Sequence, residues 1–370
     1  MEIKKIALLE ALTKCLPGVE TGNSLLTGAD TFVFSDGHIY AYNDTISVSI
    51  PFVLNNDQLI PDAAPVPFTG SVKATEFFKL ISKMPGEVIQ ADCQDDKTWA
   101  LKAGKVKVEL KLLESEIAAR VKGLMTADMQ WGKLPEVFAT ALQQCHISGN
   151  RESLSGIFCA DDVMISTDKM SINVANLGSD FLPVDVQFWI AQESGLELSK
   201  IKELAEYSLT TNWAHFKSAH GVVFSAKRLM HDNYPYKVLA DRIKGMVQRP
   251  EDLTGALPIG LAEALERAAV FSVDLESRNL VKLAFTPAGV EVSSQRNAGK
   301  FFEEVPWDIE MPSDFAPITM DVDFNMVRYG LKKSKTFYIH AFTGNDGKQK
   351  YRVVFTGEGI THYMSTFVAN

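Results

Sequence analysis

The chain has 370 residues, of which 46% are hydrophobic and 22% are charged, and its net charge is −9. This length predicts two or three domains, and the hydrophobic content excludes a wholly disordered protein. No apolar run reaches the roughly 18 residues of a membrane span, and the N-terminus lacks the apolar stretch of a signal peptide, so we expect a cytoplasmic protein with no membrane contact. An acidic chain that binds nucleic acid must use a local basic surface.

The sequence contains no catalytic or metal-binding motif. Its four cysteines form no C-x-x-C pair, and its seven histidines form no H-x-x-x-H pair. Gly347-Lys348 is followed by Gln349, which excludes a phosphate-binding loop, and Met326 replaces the glycine of the one segment that begins like a calcium loop. We therefore predict a protein that is not an enzyme, holds no cofactor and no metal, and keeps its thiols reduced.

The first third of the chain has the pattern helix, strands, helix, strands. Apolar residues at helical spacing predict amphipathic helices at Ile6–Leu12 and Lys73–Lys83. Alternation of apolar and polar residues predicts half-buried strands. In chain order these strands are Thr31–Phe34, His38–Tyr42, Val88–Ala91, Thr98–Lys102 and Lys105–Leu113.

The same order of elements occurs twice more. The predicted helices of these copies are Leu134–Leu142, Leu196–Ala205, Leu257–Leu265 and Val322–Lys333. The predicted strands of the second copy are Ser155–Phe158, Val163–Ser166, Tyr207–Thr211, Ala214–Ser218 and Val222–Lys227. Those of the third copy are Val281–Thr286, Gly289–Ser293, Thr336–Phe342, Lys350–Thr356 and His362–Phe367.

The spacing of these elements indicates an internal repeat. The pattern L-P-x-x-x-A-x-A-L begins at Leu134 and again at Leu257, an offset of 123, and the second helices begin at 73, 196 and 322. A repeat of this length is a domain rather than a solenoid module, and three copies can reuse one domain-to-domain contact. We place the domains at 1–121, 128–243 and 252–370, with seams at Leu113–Met129 and Ala240–Asp252.

Several segments share local motifs with one known family. They are Ala74–Pro85, Thr167-Asp168, Phe224–Leu229, Asn233–Leu239 and Ala268–Ser272. With the threefold repeat, they resemble the bacterial DNA polymerase III beta subunit, the beta sliding clamp, over nearly the whole chain. The resemblance implies an α+β clamp fold of three similar domains, each with two helices packed on antiparallel sheets, forming a ring. It implies a head-to-tail homodimer that encircles double-stranded DNA and acts as a polymerase processivity factor.

The charge distribution fits a ring whose helices face DNA. The six predicted helices with their flanking residues together carry +3, so the rest of this chain of net charge −9 carries −12. Phosphate contacts from such a surface bind DNA without reading its sequence. The resemblance adds Arg151, which lies in a loop whose family counterpart touches the duplex. The candidate DNA contacts are Lys4, Lys5, Lys14, Lys79, Lys83, Arg151, Lys200, Lys202, Arg267, Arg328, Lys332 and Lys333.

The resemblance also implies a hydrophobic cleft that binds short peptide motifs of DNA polymerase and the clamp loader. This sequence departs from the family there, because Thr167–Ile172 lacks the family's His and Arg and Thr366–Asn370 replaces its usual C-terminus. The departure indicates a distant or phage-encoded clamp that prefers a more hydrophobic partner motif. The cleft residues are Leu154, Thr167, Met170, Ile172, Val238, Met364, Thr366, Phe367 and Val368.

The implied homodimer closes through the strand Lys105–Leu113 of one subunit. In this interface Val108 and Leu110 meet Val270 and Phe271 of the other subunit. An alternative is a clamp-fold structural or interaction protein that does not encircle DNA, and an enzyme is a third reading. The mass in solution distinguishes the sliding clamp from the interaction protein, because a clamp is a closed ring.

Overall fold

The chain folds into two compact units of α+β structure. The computed structural model describes residues 2–22, 26–52, 69–95, 97–125, 129–147, 156–160, 162–167, 171–178, 182, 186–229, 248–275, 278–296, 299–309, 311, 315–324, 327–328, 331, 334–344, 347 and 349–365. Unit 1 comprises Met1–Ala139 and Glu193–Leu229, and unit 2 comprises Thr140–Gln192 and Met230–Asn370. The three domain boundaries expected from the repeat stay a prediction.

The helices, in chain order, are α1 (Lys5–Cys15), α2 (Ala74–Lys83), α3 (Ile117–Leu124), α4 (Phe138–Cys145), α5 (Gln192–Leu198) and α6 (Leu261–Ala269). The strands of the first half of the chain are β1 (Glu2–Lys4), β2 (Thr31–Ser35), β3 (His38–Tyr42), β4 (Ile46–Pro51), β5 (Gly70–Lys73), β6 (Val88–Asp95), β7 (Thr98–Ala103), β8 (Val106–Lys111), β9 (Gly132–Lys133), β10 (Gly156–Ala160), β11 (Val163–Thr167), β12 (Ser171–Asn176) and β13 (Gln187–Ala191). The remaining strands are β14 (Leu204–Leu209), β15 (Trp213–Ser218), β16 (Val223–Lys227), β17 (Leu253–Ala256), β18 (Val273–Leu275), β19 (Arg278–Phe285), β20 (Gly289–Arg296), β21 (Gly299–Pro306), β22 (Ile318–Asp323), β23 (Ser334–Thr343), β24 (Gln349–Gly357) and β25 (Ile360–Ser365).

Each unit contains one eight-stranded antiparallel sheet. In unit 1 the strand order is β5-β2-β3-β4-β16-β15-β14-β9, and in unit 2 it is β13-β10-β11-β12-β25-β24-β23-β17. The central junction is β4 with β16 in the first sheet, where Val48 lies opposite Phe224. It is β12 with β25 in the second, where Ile172 lies opposite Tyr363. Each sheet therefore joins strands from two successive sequence repeats through main-chain hydrogen bonds.

Each unit also contains a smaller antiparallel sheet. In unit 1 its order is β1-β6-β7-β8, and in unit 2 it is β18-β19-β20-β21, with β22 paired to β19 as well. Among the strands that the structure describes, β8 and β21 each stand at the end of their sheet. Each therefore presents main-chain donors and acceptors along one side.

One predicted helix is wrong in its position. The sequence pattern placed a helix over Leu196–Ala205, but α5 ends at Leu198, and Leu204 begins β14. Glu203 has a φ of +56°, which a continuing right-handed helix does not allow. Pairing of β14 with both β15 and β9 outweighs the helical spacing of the apolar residues in this segment.

The predicted seam at Leu113–Met129 contains a helix that the sequence analysis missed. The α3 residues Ile117 and Val121 are buried and pack in a cluster with Tyr40 of β3 and Trp213 of β15. The seam is therefore part of the core of unit 1 rather than a linker. Of the other seam, Ala240–Asp252, only residues 248–252 lie among the described residues.

The first helix of each later repeat begins further along the chain than expected. The sequence pattern predicts that these helices begin at Leu134 and Leu257. In the structure α4 begins at Phe138 and α6 begins at Leu261. Pro135 lies before α4, and Pro258 lies before α6. The residue that precedes a proline disfavours helical backbone angles, so neither helix can start at the leucine before its proline. In the third repeat β22 runs to Asp323, so the helix expected from Val322 begins only at Phe324, with Val327, Arg328 and Leu331 also helical.

Aromatic side chains fill the core of each unit. In unit 1 the ring of Phe34 meets Phe77 of α2 and Trp99 of β7 edge-on, with ring centroids 5.9 Å and 5.0 Å apart. In unit 2 the ring of Phe337 contacts Phe285 at 5.1 Å and stacks on Trp307 at 5.7 Å. Such pairs add to the stabilisation that comes from burying apolar area. These cores hold the helices against their sheets and so fix the surfaces considered below.

A buried histidine makes the stability of unit 1 depend on pH. His215 of β15 is fully buried, its Nδ1 lies 2.8 Å from Ser225 Oγ, and burial lowers its pKa to about 4. In the unfolded chain a histidine has a pKa of about 6.5. The unfolded state therefore binds this proton first as the pH falls, and we expect a loss of about 3 kcal/mol of folding free energy between pH 6.5 and 4.

Urea unfolding of the wild type and of His215→Asn at pH 7 and pH 4.5 measures this loss. The variant is expected to lack the contribution of His215 and to lose less stability on acidification. His220→Asn, at an exposed position in the same unit, is the control and should keep the loss. An equal loss in the wild type and in His215→Asn would contradict the assignment.

Candidate nucleic-acid and partner interfaces

Four of the candidate DNA-contacting lysines lie on one pair of packed helices in unit 1, and a fifth, Lys4, ends β1 directly before α1. The helix α1 follows β1 directly, buries Leu8 and Leu12, and packs against α2. The Nζ atom of Lys5 donates a hydrogen bond of 2.6 Å to the carbonyl oxygen of Met84, so this cation already has a partner. Lys14 is half-buried at the end of α1. The exposed members of this lysine group are Lys4, Lys79 and Lys83.

Two further candidate lysines lie in the turn after α5 and not on a helix. Lys200 and Lys202 are both exposed. Lys200 forms an ion pair with Glu197 of α5, with 2.6 Å between Nζ and Oε1. A pair between exposed side chains is weak and competes poorly with a phosphate. Both lysines therefore remain candidates for phosphate contacts.

In unit 2 the candidate Arg267 is held by a carboxylate. Its guanidinium forms two hydrogen bonds with Glu303 of β21, of 2.9 Å and 2.6 Å. The pair raises the pKa of Arg267 and lowers the pKa of Glu303. This arginine thus links α6 to β21, a role that the sequence did not indicate. Arg328 is helical and half-buried, whereas Arg151, Lys332 and Lys333 lie outside the described residues.

Three of the predicted cleft residues are described, and they lie on the neighbouring strands β11, β12 and β25 of unit 2. Thr167 is buried at the end of β11, and its Oγ1 donates a hydrogen bond of 2.7 Å to the carbonyl oxygen of Ser171. Ile172 is half-buried in β12, which pairs with β25, so Met364 of β25 lies opposite Ser171 in the ladder. The other cleft residues lie outside the described residues: Leu154, Met170, Val238, Thr366, Phe367 and Val368.

The predicted interface residues of the first repeat lie on the end strand β8. Val106, Val108 and Leu110 share the face of the sheet that carries the buried Leu101 and Trp99 of β7. Val108 and Leu110 are half-buried, and Val106 is 38% exposed. An apolar row on the last strand of a sheet is a surface that another strand can cover.

The predicted interface residues of the third repeat lie beside the end strand β21. Val270 is 67% exposed just after α6, and the ring of Phe271 reaches within 3.2 Å of the position that a Cβ on Gly299 would occupy. Phe302, on the outer face of β21, is 64% exposed. The sequence analysis missed β21 altogether, although the alternation of Phe301, Glu303 and Val305 with exposed residues is a strand pattern.

The described residues contain no group of three metal-ligating side chains placed to bind an ion. The thiols of Cys145 and Cys159 are buried, and burial raises the pKa of Cys145 to about 12 and raises that of Cys159 as well. Both are therefore protonated at neutral pH and poor nucleophiles. No helix in the described ranges is long and apolar enough to cross a bilayer.

No protein-family model matches the sequence, and a search of curated proteins finds no match. Solved structures do match. The beta subunit of the Streptococcus pyogenes DNA polymerase is 17% identical, with a TM-score of 0.73, over 100% of this chain and 99% of that chain. The Bacillus subtilis sliding clamp is 20% identical, with the same TM-score and coverage.

A third match is the Helicobacter pylori beta clamp bound to a DNA ligase peptide. It is 14% identical, with a TM-score of 0.70, over 100% of this chain and 99% of that chain. Identities this low show the fold and not the function. The sequence prediction of an α+β clamp fold is confirmed: this chain has the fold of the bacterial DNA polymerase III beta subunits.

Proposed function

We propose that this protein is a sliding clamp, a cytoplasmic homodimer that encircles duplex DNA and tethers a polymerase without catalysing a reaction. The observation that carries this proposal is the match of fold over the full length of the chain to beta clamps. A second line of support is the pair of end strands β8 and β21, which offer surfaces on which two copies can join.

The cations on helices and turns supply the proposed DNA contacts. Lys4, Lys79, Lys83 and Lys202 are exposed, while the chain as a whole carries −9. Contacts of this kind attract phosphates weakly, depend steeply on salt and ignore base sequence. Retention on DNA then depends on topology rather than on affinity.

Retention on circular and linear plasmid tests this function. The protein is diluted until its copies separate, mixed with nicked circular plasmid and concentrated again, so that dimers close around the DNA. In high salt, gel filtration should recover protein with the circular plasmid, and cutting the plasmid once should release it. Protein that is absent from the circle, or that stays equally on both forms, would contradict encirclement. Either result would favour a clamp-fold interaction protein that does not encircle DNA.

We also propose that partner peptides bind on unit 2, beside the β11–β12–β25 strands. The ligase peptide on the Helicobacter pylori clamp supports a peptide-binding role for this fold. In this chain the site lacks the His and Arg that the family resemblance predicts, so apolar anchors must supply most of the binding energy. A partner motif then buries one or two apolar side chains against Leu154, Ile172, Met364 and Phe367.

Fluorescence anisotropy with that ligase peptide, and with a variant of it carrying added apolar residues, tests the cleft. We expect the more apolar peptide to bind tighter and Phe367→Ala to weaken it by about tenfold or more, because interface energy is concentrated in a few anchors. Ile259→Ala, which removes an exposed apolar side chain of unit 2 that is not on β21, should leave binding unchanged. Equal binding by Phe367→Ala and the wild type would mean that the peptide binds at another site.

A further inference from the structure

One face of the eight-stranded sheet in unit 2 carries positive charge. Residues opposite each other in a ladder share a face, so the row that begins at Ile172 of β12 crosses β25 and continues through Val354 of β24 to Tyr338 of β23. We call this side of the sheet the Ile172 face. Beyond the irregular start of β23, and among the described residues of the other seven strands, its lysine, arginine and carboxylate side chains are Lys350 and Arg352 alone.

The two cations lie beside two aromatic rings. In the β23–β24 ladder Arg352 lies opposite His340, and Lys350 lies opposite Phe342; all four residues are half-buried. The Cζ atom of Arg352 lies 5.3 Å from the centroid of the Phe342 ring. The rings of His340 and Phe342 are parallel within 7°, with centroids 6.5 Å apart. A guanidinium stacked in this way is held by its face, whereas it binds carboxylates through the N–H groups at its edge.

A buried carboxylate holds the histidine of this stack. Oδ1 of Asp252 lies 2.8 Å from Nδ1 of His340, and the side chain of Asp252 is 1% exposed. The other oxygen, Oδ2, accepts a hydrogen bond of 2.8 Å from the main-chain N–H of Arg249. Asp252 is therefore engaged by the histidine and the main chain. The Ile172 face keeps a rigid, preformed cation stack.

We propose that the partner peptide carries acidic residues beside its apolar motif, and that these residues bind Lys350 and Arg352. This inference rests on the proposed peptide-binding function, and it specifies the chemistry of the partner. The segment Thr167–Ile172 lacks the family's His and Arg. The two cations of β24 supply polar contacts from a different strand of the same sheet, so an acidic flank adds specificity to the apolar anchors.

The register sets the distance between the anchor and the acidic flank. Arg352 lies two strands away from Ile172 and two residues along β24 from Val354, which stands in the row of Ile172. Strands are about 4.8 Å apart, and two residues of a strand span about 7 Å, so the two Cα atoms are separated by roughly 12 Å. An extended peptide advances about 3.3 Å per residue, which places the acidic residues three or four positions from the anchor.

An acidic peptide fits this face better than DNA does. The half-buried apolar and aromatic residues Ile172, Val174, Tyr338 and Phe342 occupy the same face as the two cations. A phosphate backbone needs several cations and gains little from apolar surface, whereas a peptide with apolar anchors and carboxylates uses both. We therefore assign the face to a peptide, and binding of DNA there is an outcome that the test distinguishes.

Fluorescence anisotropy with extended peptides tests the proposal. The probe is the apolar variant of the ligase peptide, lengthened at either end by Gly-Glu-Glu-Glu or by Gly-Gln-Gln-Gln. At low salt we expect the glutamate extension, at one of the two ends, to bind about fivefold tighter than the glutamine extension, because each partly exposed ion pair contributes modestly. The difference should disappear at about 1 M salt, where the screening length is about 3 Å.

Substitutions on β24 assign this preference to the two cations. Lys350→Gln and Arg352→Gln should each remove most of the preference for glutamate, and Lys350→Gln leaves the stacked arginine in place. Lys350→Glu should prefer a lysine extension over the glutamate extension. Lys335→Gln is the matched control, because Lys335 is an exposed cation of β23 that pairs with Glu358 at the other end of the sheet. This control should keep the preference.

The outcomes separate this inference from the proposed peptide cleft. If the glutamate and glutamine peptides bind equally while Phe367→Ala weakens both, the acidic flank is overturned and the cleft stands. A glutamate preference that survives Lys350→Gln and Arg352→Gln also overturns the assignment. Loss of duplex DNA binding in these variants, with equal binding of the two peptides, would give the face to DNA. Absence of binding by either peptide overturns both the inference and the cleft.

Discussion

The substitution Leu110→Asp is expected to convert the proposed dimer into monomers. The new carboxylate would lie in the proposed contact with Val270 and Phe271 of the other copy, where it loses water without gaining a partner. Loss of the leucine burial alone removes about 2 kcal/mol at each interface. A closed dimer contains the interface twice, so we expect roughly a thousandfold rise in the dimer Kd. Light scattering across a dilution series measures this change.

Two further variants make that result specific. Phe271→Asp acts from the other side of the same contact and should give monomers as well. Ile6→Asp places the same charge at an apolar position of α1 that is 69% exposed and follows β1, the strand at the opposite end of the sheet from β8, so it should remain dimeric. A Leu110→Asp protein that stays dimeric below micromolar concentration would exclude β8 from the interface.

The substitution Gly156→Ala is expected to destabilise unit 2 by about 3 kcal/mol or more. Gly156 lies in β10, and a Cβ built there would stand 1.8 Å from Nε1 of Trp189 and 2.6 Å from two ring carbons. Trp189 is buried in β13, the neighbouring strand, so its ring cannot move aside without opening a cavity or the ladder. Urea unfolding measures the loss.

Gly123→Ala is the matched control for this substitution. Gly123 lies in α3, and no atom stands within 4 Å of the position of its missing Cβ. Alanine in a helix is favoured over glycine by up to about 1 kcal/mol, so this variant should be as stable as the wild type or more stable. Similar losses in the two variants would mean that the contact with Trp189 does not explain the effect of Gly156→Ala.

The sequence predicted the elements that local patterns determine. The hairpin strand His38–Tyr42 has the predicted bounds, because the Asp36-Gly37 turn and the flanking apolar residues act locally. The repeat predicted three copies of one arrangement, and the resemblance of local motifs to the beta clamp family implied the clamp fold. The helix expected at Leu196–Ala205 was misplaced because Leu204 is recruited into a sheet by strands distant in sequence.

The pairing of strands from different repeats could not be read from the sequence. Neither β4 with β16 nor β12 with β25 has a local signature, since each joins segments separated by more than a whole repeat. The partners of the candidate cations were equally hidden. Nothing near Arg267 in the sequence indicates Glu303, and nothing near Lys5 indicates the carbonyl of Met84. Sequence analysis could therefore identify the types of residue in the predicted DNA-binding surface. It could not identify the partners of their side chains.

The continuous sheets also determine where the proposed ring can open. Each junction between successive repeats lies inside a sheet, so separating the repeats would break a main-chain ladder and expose its groups to water in the middle of a core. A closed circle of DNA has no end to thread through a ring. Its route into the proposed ring must therefore pass between two copies, where the subunits can part and rejoin without unfolding either chain.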